Sequence, residues 1–280
     1  MEYPLYDMHC HLDFASNAER VAREAAALGI GAFSCTVTPA GFARASTTFA
    51  ECEHVRVGLG LHPWWAADGR CGEAEIAQFE ALAEGAAHAH SEIAAGNATR
   101  AQLETPAENI THTQFIGEVG LDFAGARGEG EARARQVAAF ERALAACAGS
   151  ARVISLHAVR SAGAVLDAVE RASALAQHTG VFHGCSGTAD ELTRAARTGC
   201  FFSIGPRMLA TKRGRAYARA VPADHLLLET DLPARAGEPW SAAAWRAELE
   251  GALGALAEAR GENTEQLAAT LAQTSQQLLA

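Results

Sequence analysis

The sequence contains a single lysine, Lys212, among its 23 basic residues, and aromatic residues make up only 6% of its 280 residues. The formal net charge of -10 gives the chain no overall attraction for phosphate backbones, which argues against a protein that coats nucleic acid non-specifically. No run approaches the roughly 18 apolar residues of a membrane span. The first residues lack the basic-then-apolar order of a signal peptide. We therefore expect a cytoplasmic protein with no membrane partner.

The seven cysteines are scattered over positions 10, 35, 52, 71, 147, 185 and 200, without a C-x-x-C pair. A disulfide framework or a zinc ribbon requires closer, paired spacing. We therefore expect reduced thiols. Because 49% of the residues are hydrophobic, the chain has enough apolar material for a large core without such cross-links.

Short β-rich runs alternate with alanine-rich amphipathic stretches along most of the chain. The runs lie at residues 5–8, 32–37, 55–61, 115–119, 153–156, 181–182, 200–204 and 226–228. This alternation predicts parallel strands joined by helical crossovers, and eight such units in about 250 residues are typical of a (β/α)8 TIM barrel. An open doubly wound sheet is the alternative, but no G-x-G-x-x-G motif follows the first strand.

Two segments fall outside this regular alternation. Residues 86–114 lack aromatic residues and are rich in Ala, Thr, Asn and Glu, so we expect a surface excursion there. His88 and His90 within it do not predict a metal pair, because residues two apart on a helix point in different directions.

Residues 240–280 predict two extra helices. We expect one domain over residues 1–280, as a monomer or weak oligomer.

Histidines and carboxylates recur at the ends of the predicted strands. His9 and His11 follow the first apolar run, and residues two apart in a strand face the same side. The other strand ends carry Glu118, His157, His183 and Asp231. In a barrel these residues lie at the carboxyl-terminal rim, where barrel enzymes carry their active sites. Imidazoles and carboxylates that converge there require a balancing positive charge, so the sequence predicts a divalent metal site.

Seven sequence blocks around these residues resemble the TatD family of metal-dependent hydrolases, within the amidohydrolase-type barrel superfamily. In chain order the blocks are residues 7–13 (Asp-Met-His-Cys-His-Leu-Asp), 60–63 (Gly-Leu-His-Pro), 116–122 (Ile-Gly-Glu-Val-Gly-Leu-Asp), 155–157 (Ser-Leu-His), 182–187 (Phe-His-Gly-Cys-Ser-Gly), 202–205 (Phe-Ser-Ile-Gly) and 228–233 (Leu-Glu-Thr-Asp-Leu-Pro). No single block is decisive, but the ordered set is specific.

The resemblance implies two divalent metal ions and a role for each ligand. The implied ligands are His9, His11 and Asp231 for one ion, His157 and His183 for the other ion or its neighbourhood, and Glu118 as the bridge. Family members use magnesium, manganese or zinc, and a nitrogen and oxygen ligand set fits Zn or Mn better than Mg. The carbamylated lysine that bridges the metals of many amidohydrolases is excluded, because the only lysine lies well past the fourth strand.

Five further residues are candidates for substrate binding. They are His62, Trp64, Arg160, Arg207 and Lys212. Arg160 follows His157 by three residues, whereas the arginine of better-known family members follows by two. Arg207 and Lys212 come after the seventh strand, where barrels often bind phosphate, although Lys212 equally fits a solvated helix start. Trp64 would stack on a base or pack a loop, and we expect His62 to contact substrate rather than metal.

These residues and the resemblance together predict a metal-dependent phosphodiesterase. A water acidified by the metal would attack phosphorus, with Asp231 as ligand and base and Glu118 as the bridging ligand. The resemblance implies a TatD-type DNase, similar to a 3'-5' exonuclease, that engages a DNA end or a single strand. One alternative is an esterase or deacylase that acts on aminoacyl-tRNA or a small molecule. Another is a TatD-like accessory component of a defence complex.

Overall fold

The computed structural model describes residues 4–94, 114–148 and 152–280, without the side chains of residues 86–94. These residues form two compact units. The first unit contains the described residues up to 35 together with residues 48–56 and 181–280. The second unit contains residues 36–47 and the described part of residues 57–180.

Eight parallel strands occur in the described residues, in the order of the chain. They are β1 (Leu5–Cys10), β2 (Ile30–Cys35), β3 (Val55–Leu61), β4 (Phe115–Asp122), β5 (Arg152–Val159), β6 (His178–His183), β7 (Phe201–Ile204) and β8 (Leu226–Leu228). The helices are α1 (Ala18–Ala27), α2 (Pro39–Thr48), α3 (Pro63–Ala67), α4 (Glu73–Ala94), α5 (Gly130–Ala146), α6 (Ala162–Arg171), α7 (Ala189–Arg197), α8 (Pro206–Leu209), α9 (Lys212–Ala220), α10 (Ala242–Arg260) and α11 (Thr264–Leu279). Each strand is followed by at least one helix, which is the chain order of a (β/α)8 barrel.

The core of the first unit lies between the strands of this unit and the helix α10. In this unit β1 pairs with β2, β6 pairs with β7, and β7 pairs with β8. Phe33, Phe182 and Phe202 of the strands are fully buried, as is Trp245 of α10. The buried residues of α10 recur at the helical spacing of three and four, so the sequence pattern directs one face of this helix into the core.

In the second unit β3, β4 and β5 pair in that order. All eight residues of β4 are buried, as expected of a parallel strand that is covered on both faces. Arg142 of α5 joins this helix to α4, because its guanidinium donates to Glu73 at 2.7 Å and to Glu80 at 2.6 and 2.7 Å. These elements hold the segments after β3 and β4 in place.

All eight predicted strands are present, but several are longer than the apolar runs that predicted them. β4 continues to Asp122 and β5 continues to Val159, because the two strands remain paired up to these residues. In this register Gly120 lies opposite His157, and Asp122 lies opposite Val159. The predicted strand ends therefore lie too early, and the side chains of Glu118 and His157 extend from within strands.

The two predicted carboxyl-terminal helices are confirmed as α10 and α11. The helix α4 runs through His88 and His90, as the helical pattern predicted, while the rest of the predicted excursion lies mainly outside the described residues. Among the helices that the structure describes, none combines the length and the apolar character needed to cross a bilayer.

All seven cysteines are buried, and they form no disulfide. Burial raises the pKa of Cys71 to about 12 and the pKa of Cys147 and Cys185 to about 11. At pH 8, a pKa of about 11 in place of 9 leaves roughly a hundredfold less of the reactive thiolate. We expect iodoacetamide to label Cys71, Cys147 and Cys185 of the folded protein at least that much more slowly than in the protein unfolded in guanidinium. Labelling of any of these three thiols at the unfolded rate, measured by mass spectrometry, would contradict this expectation.

Candidate metal sites

In the first unit, His9, His11 and Asp231 bring three potential metal-ligand atoms together. The Oδ1 atom of Asp231 lies 3.3 Å from Nε2 of His11 and 3.7 Å from Nε2 of His9. One ligand atom from each residue lies within 4.8 Å of the other two. Both histidines are buried, whereas the Asp231 side chain is 23% exposed. Solvent therefore reaches this set from the side of the carboxylate.

Backbone hydrogen bonds fix these residues relative to one another. The N–H of Asp231 donates to the carbonyl oxygen of His9 at 2.9 Å, and the N–H of His11 donates to the carbonyl oxygen of Leu232 at 2.9 Å. Asp231 has a φ of 57°, in the left-handed region that residues other than glycine rarely occupy. Such a conformation persists where surrounding contacts impose it, and here it accompanies a carboxylate turned toward two imidazoles.

The ring of His11 is oriented by its Nδ1 atom, which lies 2.9 Å from the carbonyl oxygen of Cys35. Because a carbonyl oxygen only accepts, Nδ1 carries the proton and Nε2 presents its lone pair. Nε2 is also the atom that faces Asp231. Metal-ligating histidines commonly donate their other N–H in this way, so the tautomer of His11 suits a metal ligand.

Two more of the predicted residues lie against this set. The ring of His183, at the end of β6, stacks on the ring of His9 with 3.9 Å between centroids and 5° between planes. Arg207 of α8 forms an ion pair with Oδ2 of Asp231, while Oδ1 faces the imidazoles. The resemblance grouped His183 with His157, and the structure places it beside His9.

Glu229, directly after β8, supports the segments that follow β6 and β7. Its carboxylate accepts a hydrogen bond from the N–H of Gly184 at 3.0 Å and another from the hydroxyl of Ser203. Burial raises the pKa of Glu229, while the nearby His183 and these hydrogen bonds lower it. The buried carboxylate therefore holds both segments close to the candidate ligands.

In the second unit, Glu118 of β4 lies between two histidines. Its Oε2 atom is 3.3 Å from Nε2 of His62, and its Oε1 atom contacts Nδ1 of His157. All three side chains are buried, and one ligand atom from each lies within 4.8 Å of the others. The N–H of Glu118 donates to the carbonyl oxygen of Thr36 at 2.9 Å, which anchors this part of β4.

His62 shows the opposite tautomer to His11. Its Nδ1 atom accepts a hydrogen bond from the N–H of Trp64 at 3.1 Å. In the neutral ring Nε2 therefore carries the proton and faces Glu118 as a donor. A metal ligand must present a lone pair there instead. This geometry supports the prediction that His62 binds substrate or orients Glu118 rather than holding metal.

His157 lies between two buried carboxylates. Its Nδ1 atom contacts Glu118 and its Nε2 atom is 3.6 Å from Oδ2 of Asp122. Burial lowers the pKa of His157, but the two carboxylates outweigh it and raise the pKa to about 9. Burial also raises the pKa of Asp122, yet hydrogen bonds from His157 and from the indole N–H of Trp64 hold it below its ordinary value. These carboxylates require a positive charge at His157, which a proton or a metal cation supplies.

Two glycines allow the backbones of the second unit to approach closely. A Cβ atom at Gly60 would lie 1.7 Å from the carbonyl oxygen of Thr36, which accepts the N–H of Glu118. A Cβ atom at Gly120 would lie 2.1 Å from the carbonyl oxygen of His157. Gly120 also has a φ of 142°, which disfavours other residues. Both positions therefore require glycine, and both belong to the blocks that carry the family resemblance.

A family model for TatD related DNase matches residues 6–280 of the sequence. The chain belongs to this family. Over 236 residues it is 27% identical to the metal-dependent hydrolase YjjV of Escherichia coli K12, covering 81% of this chain and 78% of that protein. Over 121 residues it is 37% identical to the 3'-5' ssDNA/RNA exonuclease TatD of Edwardsiella piscicida, covering 42% of this chain and 45% of that protein.

Solved structures of TatD proteins share the fold of this chain. The crystal structure of Escherichia coli YjjV matches with a TM-score of 0.68 and 22% identity, over 99% of this chain and 98% of that one. A TatD family hydrolase from Entamoeba histolytica matches with a TM-score of 0.72 and 13% identity, over the same fractions. The predicted (β/α)8 fold is confirmed.

Membership in the TatD-related family makes the chain a metal-dependent hydrolase, and the donor chemistry of both sets fits a divalent metal. Each set combines imidazole nitrogen with carboxylate oxygen, which are donors that Zn and Mn accept. His11 directs a lone pair toward Asp231, and His157 lies where two carboxylates require a cation. A bound metal ion would satisfy both conditions.

The remaining predicted substrate residues differ in their surroundings. Trp64 is exposed, yet its indole N–H donates to Oδ2 of Asp122 at 2.5 Å. Arg160, at the end of β5, is exposed and has a φ of 54°. Lys212 is exposed in the first turn of α9, as expected of a solvated helix start. Their roles as substrate contacts stay predictions.

Several acidic residues that support the ligands have no site role predicted from the sequence. These residues are Asp7, Asp122 and Glu229. Each lies inside a block that was recognised for its histidine, glutamate or aspartate ligand, and each is buried at a strand end or within a strand. The signal was therefore present as a second carboxylate in a ligand-bearing block, although nothing in the sequence shows what each carboxylate contacts.

Proposed function

We propose that this TatD-related hydrolase is a phosphodiesterase that removes nucleotides from single-stranded DNA ends. The observation that carries the proposal is the ion pair between Arg207 and Asp231, because it places an anion-binding group beside the first set of candidate ligands. A guanidinium presents donors that match phosphate oxygens. The 3'-5' ssDNA/RNA exonuclease activity named for the Edwardsiella relative supports the same substrate class.

Each residue of the first unit has a distinct part in this reaction. A divalent cation supplies Lewis-acid activation of water and neutralises charge on phosphate. We expect His9 and His11 to hold that cation through Nε2. Oδ1 of Asp231 faces these imidazoles, so we expect the other oxygen, Oδ2, to take a proton from the attacking water. Arg207 contacts Oδ2, and we expect it to exchange this contact for a phosphate oxygen of the substrate, which frees Oδ2.

We propose two divalent ions, Zn, Mn or Mg, with one associated with each set; the nitrogen and oxygen donors fit Zn or Mn better than Mg. In the second unit we expect Glu118 and His157 to bind metal, with the proton of His157 released on binding. Nε2–H of His62 would donate to a substrate oxygen or to Glu118. The role of Glu118 as a bridge between the ions stays a prediction from the family resemblance.

The proposal is tested with end-labelled single-stranded DNA and protein loaded with Mn, Zn or Mg. We expect stepwise shortening of the strand that stops with a chelator and in the His11→Ala variant. Arg207→Ala should slow DNA cleavage more than hydrolysis of a carboxylic ester. Arg197→Ala, which removes an exposed arginine from α7, is the matched control and should cleave like the wild type.

The alternative activities give different results in the same assay series. Release of an acyl group from an aminoacyl ester, without shortening of DNA under any metal, would replace the phosphodiesterase by a deacylase. A stable heteromeric complex without turnover of either substrate would indicate an accessory protein. Shortening at the wild-type rate in purified His11→Ala would show that His11 is not required for cleavage and would reject the proposal.

A further inference from the structure

In the second unit, the rings of three aromatic side chains each contact the guanidinium group of an arginine. The three pairs, which we call the arginine–aromatic strip, are Arg70 with Trp65, Arg127 with Trp64 and Arg133 with Phe123, at 4.1, 4.9 and 4.2 Å between guanidinium carbon and ring centroid. Such pairs occur roughly once per 70–80 residues in proteins. Three of them within residues 64–133 are therefore a local concentration of planar cationic and aromatic surface.

The arginine–aromatic strip is continuous with the candidate ligands of the second unit. Asp122 accepts from the indole N–H of Trp64 at 2.5 Å and from Arg127 at 3.2 Å, and it directly precedes Phe123. The same carboxylate lies 3.6 Å from Nε2 of His157. The rings of Trp64 and His157 are 6.4 Å apart between centroids. The strip thus begins next to a residue that we expect to bind metal.

Trp64 is both exposed and held in place. At 42% exposure, it is the large hydrophobic residue of the described chain that is most open to solvent. Its indole N–H is fixed by Asp122, and the helix α3 that carries it is tied to α5, because Nε of Arg135 donates to the carbonyl oxygens of Ala66 and Ala67 at 3.3 and 3.2 Å. A ring that is already ordered loses little conformational entropy when a ligand stacks on it.

The charges of the strip are partly neutralised within the protein. Arg127 pairs with Asp122 at 3.2 Å and Arg70 pairs with Asp68 at 2.6 Å, and the whole chain has a net charge of -10. Long-range attraction for a phosphate backbone is therefore weak. What the strip offers is planar groups, namely the rings and the guanidinium groups that lie over them. Bases expose their faces in single strands, whereas in a duplex they are stacked on one another.

We propose that the arginine–aromatic strip binds the bases of a single-stranded nucleic acid by stacking, beside His157. This inference rests on the proposed function, which brings a single strand to the hydrolytic site. The strip supplies base contacts that do not depend on sequence, as removal of successive nucleotides requires. We expect Trp64 to make the contact beside His157, and Trp65 and Phe123 with their arginines to contact further bases.

The test measures binding of a fluorescent oligothymidylate by anisotropy in the Asp231→Asn background, in which we expect cleavage to be slow. Trp64→Ala should weaken binding roughly 5- to 150-fold, and Trp64→Phe, which keeps an aromatic face, should restore most of it. Arg133→Ala should weaken binding roughly two- to fivefold, whereas its matched control Arg197→Ala removes the same charge from α7 and should have no effect.

An abasic oligonucleotide of the same length separates stacking from charge. We expect it to bind equally to proteins with Trp64 and with Trp64→Ala. Equal weakening of both oligonucleotides, or no weakening of either, would overturn the inference even if the wild type cleaves DNA. Base-dependent binding that is lost in Trp64→Ala, in a protein that cleaves no DNA, would support the strip and reject the phosphodiesterase.

Discussion

Asp231→Asn is expected to lower kcat for single-stranded DNA by roughly 10²- to 10⁴-fold, the range over which general bases contribute. The amide cannot take a proton from water, and it is a weaker metal ligand than the carboxylate that lies 3.3 Å from His11. Its similar size should keep the fold, since the side chain is 23% exposed. Steady-state cleavage under saturating metal and metal affinity by calorimetry measure the two effects.

Asp224→Asn provides the matched control for this substitution. Asp224 lies in the same unit, is 76% exposed and contacts only its neighbour His225 among the ion pairs of the described residues. We expect this variant to keep the wild-type kcat and metal affinity. A kcat for Asp231→Asn within a few-fold of the wild type would remove Asp231 from the role of base.

Asp7→Ala is expected to lower the free energy of unfolding by about 3 kcal/mol or more, because three buried donors lose their acceptor. The fully buried carboxylate of Asp7 accepts from Thr230 N–H at 3.0 Å, from Thr230 Oγ1 at 2.6 Å and from the indole N–H of Trp245 at 2.6 Å. It also lies 3.3 Å from the N–H of His9. Burial raises the pKa of Asp7 to about 7, although these hydrogen bonds oppose the rise. Alanine leaves the buried donors unpaired, and each costs about 1–3 kcal/mol.

Trp245→Phe removes one of these hydrogen bonds, and because Trp245 is fully buried it also leaves a small cavity where the indole is larger than the phenyl ring. We expect a loss of about 1–3 kcal/mol and weaker metal binding, since Asp7 joins the segment of His9 to the segment of Asp231. Trp240→Phe is the control, because Trp240 packs on Trp245 at 4.9 Å but is only half-buried. Denaturant titrations measure stability. Because the cavity at Trp245 is the larger of the two, a loss for Trp245→Phe no greater than the loss for Trp240→Phe would show that the hydrogen bond to Asp7 contributes nothing.

The candidate ligands were predictable because their positions follow from strand geometry. His9 lies in β1 and His11 directly follows this strand. Because the two residues are two positions apart, they face the same side. Asp231 follows β8, and the ends of parallel barrel strands lie at one rim. The buried carboxylates were less predictable. Asp122 lies in a ligand-bearing block, yet its contacts with Trp64 and His157 join residues 58 and 35 positions away in the chain.

The sequence by itself determined the family, the alternation of strands and helices and the identity of the candidate ligands, because local periodicity and ordered motifs encode these properties. Only the tertiary structure decided what each side chain faces. The opposite tautomers of His11 and His62 depend on a carbonyl of Cys35 and an N–H of Trp64, and the buried contact of Asp7 with Trp245 spans 238 positions. Hydrogen bonds act over about 3 Å, so these roles exist only once folding brings distant segments together.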